Sequence, residues 1–111
     1  MIRKDYRLAI GNAWVQLQRM HAEDRSAVDG TRYPVYNISR GGLRFSGNET
    51  FEAQERIKVI LHLPNNTEHH SLGRICYCEP DTENQAVTYY GVSFLDNFLD
   101  MAPFQDAPTL P

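Results

Sequence analysis

The segment RIKVILHLP, Arg56 to Pro64, restricts the possible folds more than any other stretch of this chain. Ile57, Val59, Leu61 and Leu63 recur at every second position, with Lys58, Ile60 and His62 between them. Successive side chains of a strand point to opposite faces, so this spacing builds one wholly aliphatic face, whereas a helix would scatter the same four residues around its axis. Pro64 closes the run because it has no N–H to give a ladder, and Asn65 and Asn66 follow as turn residues. Similar runs predict strands over Ala13–Met20, Tyr33–Ile38, Leu43–Ser46, Leu72–Cys78 and Val87–Leu95. Asp29-Gly30 is hairpin chemistry between the first two of these, and EPDTEN, Glu79 to Asn84, separates the last two. Short, evenly spaced antiparallel strands without a helical period predict an all-β fold, a small barrel or a strongly curved sheet.

The two ends read differently. Residues 1–12 carry Arg3, Lys4, Asp5 and Arg7 and predict a charged arm, mobile when nothing is bound. Residues 13–97 form the barrel, and 98–111 a short turn and tail. One helical turn through Phe98, Leu99 and Met101 is conceivable, but Pro103, Pro108 and Pro111 favour a fraying end with little or no helix. A chain of 111 residues, 41% hydrophobic, has apolar material for one modest core, which makes this a single domain. No apolar run approaches the roughly 18 residues of a membrane span, and the N-terminus opens on charge instead of a signal sequence, so the expectation is a cytoplasmic protein with no membrane contact.

Composition narrows the partner. Residues 1–44 hold eight basic and four acidic residues, a balance of +4, while the remainder holds three and ten, a balance of −7. An anion-binding surface is therefore expected from the N-terminal part. The overall charge of −3 argues against long nucleic acid and for a small anionic ligand. Cys76 and Cys78 lie two apart, on one face of a regular strand, and are read as reduced thiols. Neither they nor the four histidines adopt a metal-ligand spacing, so no metal and no cofactor is expected. The N-x-[ST] triplets at Asn37, Asn48 and Asn65 carry little weight without a secretion signal. No nucleophile, base and orienting group stand together around Ser39 or elsewhere, and an enzyme is not expected.

Two motifs remain. Arg3 and Arg7 make an R-x-x-x-R pair, a spacing that Arg40 and Arg44 repeat by chance and that is uninformative alone. Asn37, Ser39 and Gly42 make N-x-S-x-x-G within YNISRGGLRF, a pattern expected on the order of 0.04 times in a chain of this composition. A glycine-rich turn capped by Asn37 and Ser39 would account for it structurally. A ligand would account for both motifs. Guanidinium groups bond bidentately to phosphates or to guanine O6 and N7, and they stack on bases. Gly41 and Gly42 permit positive φ and let the backbone approach a flat base. Trp14, Tyr77, Tyr89 and Phe94 are read as core or sheet-face residues, and Tyr6 as an anchor for the arm.

In this order, and separated by a hairpin, the motifs resemble the PilZ domain, the bacterial receptor module for cyclic di-GMP. The resemblance takes in RKDYR, the strand near AWVQLQ, NISRGGLRF, and YYGVSF at Tyr89–Phe94, and so covers nearly the whole chain. Asn37 stands where Asp is commoner, and the longer C-terminal helix of many members is missing or reduced. The resemblance implies a six- or seven-stranded antiparallel barrel and a cyclic di-GMP site made of Arg3, Arg7, Asn37, Ser39, Gly41 and Gly42, with Arg40 as a further, variable cation. It also implies a non-catalytic receptor whose arm orders around the ligand and alters contacts to a downstream protein. That partner is not named by the sequence; motility, adhesion, biofilm formation and virulence are the processes such modules serve. Ile2, just before R-x-x-x-R where an arginine accompanies paired ligands, points to one ligand per chain. A monomer and a homodimer both remain open. The alternative is a PilZ-like adaptor that binds no nucleotide and works through protein contacts alone.

Overall fold

The computed structural model describes residues 8–20, 31–48 and 50–105. Within them lie β1 (Leu8–Ala9), β2 (Trp14–Arg19), β3 (Tyr33–Ser39), β4 (Gly42–Gly47), β5 (Arg56–His62), β6 (Glu68–Pro80), β7 (Thr88–Phe94) and a one-turn helix α1 (Ala102–Gln105). Six strands close on themselves in the order β3-β2-β5-β6-β7-β4, with β4 returning to β3, and every pairing is antiparallel. The predicted all-β antiparallel barrel is the architecture found, and closure leaves no free edge among the six strands.

β1 is the seventh strand. It shares one edge of β3 with β2: Leu8 lies opposite Ile38 and Ala9 opposite Asn37, while Trp14 and Val15 take Pro34 and Tyr33. Between them Asn12 adopts φ 60°, a left-handed conformation that asparagine tolerates better than most residues. The ladder continues across this kink through Ile10 N–H to Tyr36 O at 3.0 Å and Val35 N–H to Ala13 O at 3.2 Å. A stretch that reads as charged arm thus ends in a paired strand, and Leu8 and Ile10 pack against the core.

Period-two alternation determines what lies inside. Ile57, Val59 and Leu61 of β5 are buried, as are Val15 and Leu17, Val35 and Ile38, Leu43 and Phe45, and Val92 and Phe94 of neighbouring strands. Each such side chain contributes about 1.5–3 kcal/mol through removal from water. Phe45 forms the aromatic centre, against Tyr33 at 5.4 Å, Tyr90 at 5.2 Å and Phe51 at 5.9 Å between ring centroids. Phe51 comes from the β4–β5 loop, where the Arg19 guanidinium lies over its ring and pairs with Glu55 at 3.2 Å.

Three local readings change. β6 begins at Glu68, four residues before the predicted start, because its first part, Glu68 to Arg74, pairs with the whole of β5 around the turn at Asn66. The helical turn lies at Ala102–Gln105 and not through Phe98–Met101. Leu99 and Met101 are buried against the core ahead of that turn, the Asp100 carboxylate accepts from Ala102 N–H at 3.0 Å, and Pro103 sits in the first turn, where its missing N–H costs nothing. Finally, a register shift between Ile75 and Tyr77 inserts one residue into β6, so alternation breaks and Cys76 and Cys78 no longer share a face. Both thiols are free. Partial burial, with Cys76 and Glu55 nearby, pushes the Cys78 thiol up.

Candidate functional site

Asn37, Ser39, Arg40, Gly41 and Gly42 all lie on β3, its turn and the start of β4, so the barrel brings this half of the predicted site to one place. Arg3 and Arg7 lie outside the described residues, as does the Asp29-Gly30 turn. Leu8, which follows Arg7 in the chain, pairs with Ile38 between Asn37 and Ser39.

The turn itself is tied to the C-terminal segment. Gly41 O accepts from Phe94 N–H at 2.8 Å, and Arg40 O accepts from Leu99 N–H at 2.9 Å. The exposed Arg40 guanidinium stands 5.2 Å from the centroid of Phe98, itself 52% exposed. Ser39 is only 4% exposed. Gly42 is not in the left-handed region, and its need for glycine is steric: a Cβ would overlap Val92 O on β7 and stand 3.1 Å from the carbonyl carbon. The close approach that the sequence suggested for a base is, at this position, an approach between strands.

Two β-bulges shape the outer wall. On β3 the register shifts between Val35 and Asn37, so Tyr36 and Asn37 together oppose the single residue Arg44. Val35 and Ile38 on either side point inward, which leaves Tyr36 and Asn37 both on the outer face. Arg44 pairs in turn with Gly91 of β7, and Gly91 with Tyr77 at the bulge of β6. One cross-strand row therefore runs Asn37–Arg44–Gly91–Tyr77 and carries a bulge at each end. A Cβ on Gly91 would collide with the Tyr77 ring, with Cδ2 and Cζ at 2.6 Å, so the bare glycine is what lets that ring lie across β7.

Around this row sits an aromatic and cationic cluster that sequence reasoning passed over as sheet-face residues or a chance arginine pair. The Arg44 guanidinium lies 4.9 Å from the Tyr89 centroid and 5.9 Å from that of Tyr77, and it donates to Glu79 Oε1 at 3.1 Å. Tyr36 meets Tyr89 edge-on at 5.7 Å, and its hydroxyl bonds Ser46 Oγ at 2.8 Å. The backbone N–H groups of Asn84 and Glu83, at 2.8 and 3.0 Å, hold the Asp81 carboxyl below its ordinary range, and the Tyr89 hydroxyl assists. The same hydrogen bond to Asp81 pushes the Tyr89 phenol up, so it stays a neutral donor. Outward alternation at Arg44 was legible in LRF; the bulges that bring Tyr36 and Tyr77 into its row were not.

Chemically the wall offers directed donors, phenol faces and a glycine-bearing turn, the equipment for binding a planar polar ligand. Among the described residues no cluster of three or more His, Cys, Asp or Glu side chains could hold a metal ion, and no helix is long and apolar enough to cross a membrane.

Comparison with known proteins agrees with this architecture. Among solved structures, the barrel superposes on the Bacillus subtilis inhibitor of motility MotI/DgrA with a TM-score of 0.68 at 18% identity, over 87% of this chain and 44% of that one. It superposes on Escherichia coli YcgR, solved in complex with c-di-GMP, with a TM-score of 0.63 at 14% identity, over 85% of this chain and 38% of that one. For the K. pneumonia MrkH–c-di-GMP complex the TM-score is 0.57 at 16% identity, over 95% and 47%. The chain thus spans less than half the length of each of these three proteins. No curated protein sequence matches it. The sequence profile of the PilZ domain, in contrast, matches residues 2–101, and by this match over nine-tenths of its length the chain belongs to the PilZ domain family.

Proposed function

We propose that this chain is a cyclic di-GMP receptor, non-catalytic, whose ligand lies against the outer wall at the β3–β4 turn. The observation that carries the reading is the pairing of Leu8 with Ile38, which joins the R-x-x-x-R segment to the strand bearing Asn37 and Ser39. Covalent geometry keeps Arg7 within about 3.8 Å, Cα to Cα, of Leu8 and Arg3 within about 18 Å of it, so both motifs can reach one dinucleotide. The determination of YcgR and MrkH with c-di-GMP supports the same ligand here.

In this reading Arg3 and Arg7 bind through charge-assisted bonds, and Asn37 and Ser39 add directional polar contacts from the wall. The arm orders as the ligand binds, and part of the interaction energy is spent on that ordering. The event passes to a downstream protein through the changed arm and its neighbouring surface. Isothermal titration with cyclic di-GMP is the direct test. Saturable binding with one ligand per chain is expected, and the absence of binding would favour the adaptor that works through protein contacts alone.

A further inference from the structure

Resting on that receptor reading, we propose that Arg44 is the residue that selects guanine: its guanidinium, beside Asn37 on the bulged row, donates in its own plane to O6 and N7 of one base. Tyr77, Tyr89 and Glu79 are positioning residues for it. Neither R-x-x-x-R nor N-x-S-x-x-G contains this arginine.

Four features of the geometry point there. Arg44 is the register partner of Asn37 and stands on the same outer face, with its side chain 32% exposed. It is held in place: two phenol rings crowd the guanidinium, and Glu79 Oε1 takes one of its five N–H donors at 3.1 Å. The remaining donors keep a fixed fork, the shape that guanine presents two acceptors to. The charge argument then separates base from phosphate. A guanidinium beside the Glu79 carboxylate is nearly neutral as a unit and attracts a phosphate weakly, but it loses little as a donor to a neutral base edge. Last, the row is built for display, because bulges at both ends turn extra side chains outward and Gly91 makes room for Tyr77. An exposed ion pair stabilises a fold so little that stability alone gives no reason for this arrangement.

The test titrates the parent chain, Arg44→Ala and Arg44→Lys with cyclic di-GMP and cyclic di-AMP at two salt concentrations, alongside thermal melts. Adenine has an N6 amino donor where guanine has O6, so Arg44 gains nothing from it. Arg44→Ala should weaken cyclic di-GMP about 5- to 100-fold and leave cyclic di-AMP within about twofold, which collapses the selectivity. Arg44→Lys keeps the charge without the fork and should resemble the alanine variant; if alanine lowers the melting temperature, the lysine variant carries the comparison. Salt dependence should match the parent, since no phosphate contact is removed. The inference is overturned if either variant binds cyclic di-GMP like the parent, if both nucleotides weaken by one factor, or if the parent does not discriminate between them. A parent that binds neither nucleotide removes the receptor reading and this inference together, whereas a parent that binds selectively with Arg44→Ala unchanged removes this inference alone.

Discussion

Replacing Gly42 by alanine should destabilise the ligand-free barrel, and the size of the effect follows from what surrounds the glycine. A Cβ there would overlap Val92 O and stand 3.1 Å from the Val92 carbonyl carbon and 3.4 Å from Ser93 Cα. All three are backbone atoms of the paired strand, so no rotamer change relieves the contact, and β4 and β7 must part at the Gly42–Ser93 pair. Overpacking of this kind costs about 1–3 kcal/mol, and each ladder hydrogen bond lost costs about 0.5–1.5 kcal/mol more. Alanine returns about 0.4–1 kcal/mol by restricting the unfolded chain. With one ladder bond lost, the balance is a loss of roughly 0.5–4 kcal/mol, or a fall in melting temperature of roughly 2–25 °C, for a domain of this size. Circular dichroism melts and urea titrations without nucleotide measure it. Gly11→Ala is the control, because a Cβ at Gly11 meets nothing within 4 Å and should shift stability by less than about 1 kcal/mol. If Gly42→Ala melted within about 0.5 kcal/mol of the parent yet lost nucleotide binding, the glycine would be there for the ligand and the steric argument would be wrong.

Other consequences can be checked on the same protein. Arg3→Ala and Arg7→Ala should each weaken cyclic di-GMP roughly tenfold to a hundredfold, the range for a lost bond to a charged group, and Ser39→Ala should weaken it less; parent-like binding by Arg7→Ala would move the site elsewhere. Amide exchange over Arg3 to Leu8 should slow at saturating ligand, and equal rates with and without nucleotide would refute ordering of the arm while leaving binding intact. Asp81 has its carboxyl held below the ordinary 3.8, chiefly by the Asn84 and Glu83 N–H groups, so its contribution to stability is present above pH 3.8 and is lost as pH falls through the lower folded value. Asp81→Ala should therefore unfold at lower urea than the parent near neutral pH, with the gap closing in acid; a gap that widened below pH 3.8 would mean the carboxylate is not what braces the β6–β7 turn.

The alternation of Ile57, Val59, Leu61 and Leu63 was enough to determine a strand and its buried face, because a period of two is a local property that burial merely uses. The same holds for the N-x-S-x-x-G turn, whose six residues, Asn37 to Gly42, are neighbours in the chain and needed no long-range contact to come together. What only the tertiary structure decided is where alternation fails. Nothing in YPVYNIS announces that Tyr36 and Asn37 share a face, since a bulge is a mismatch between two strands and belongs to neither sequence alone. Nor does Tyr77 in GRICYCEP reveal that it crosses β7 over Gly91, fourteen residues away in the chain, to reach Arg44 on a third strand. Leu99 and Met101 were assigned to a fraying tail because their period is too short to read; they are ordered by the core they plug and by the Arg40 carbonyl that holds Leu99 N–H. Local steric preference thus settled the strands and the signature turn, while barrel closure, which pairs residues far apart in sequence, placed Arg44 among its aromatic neighbours.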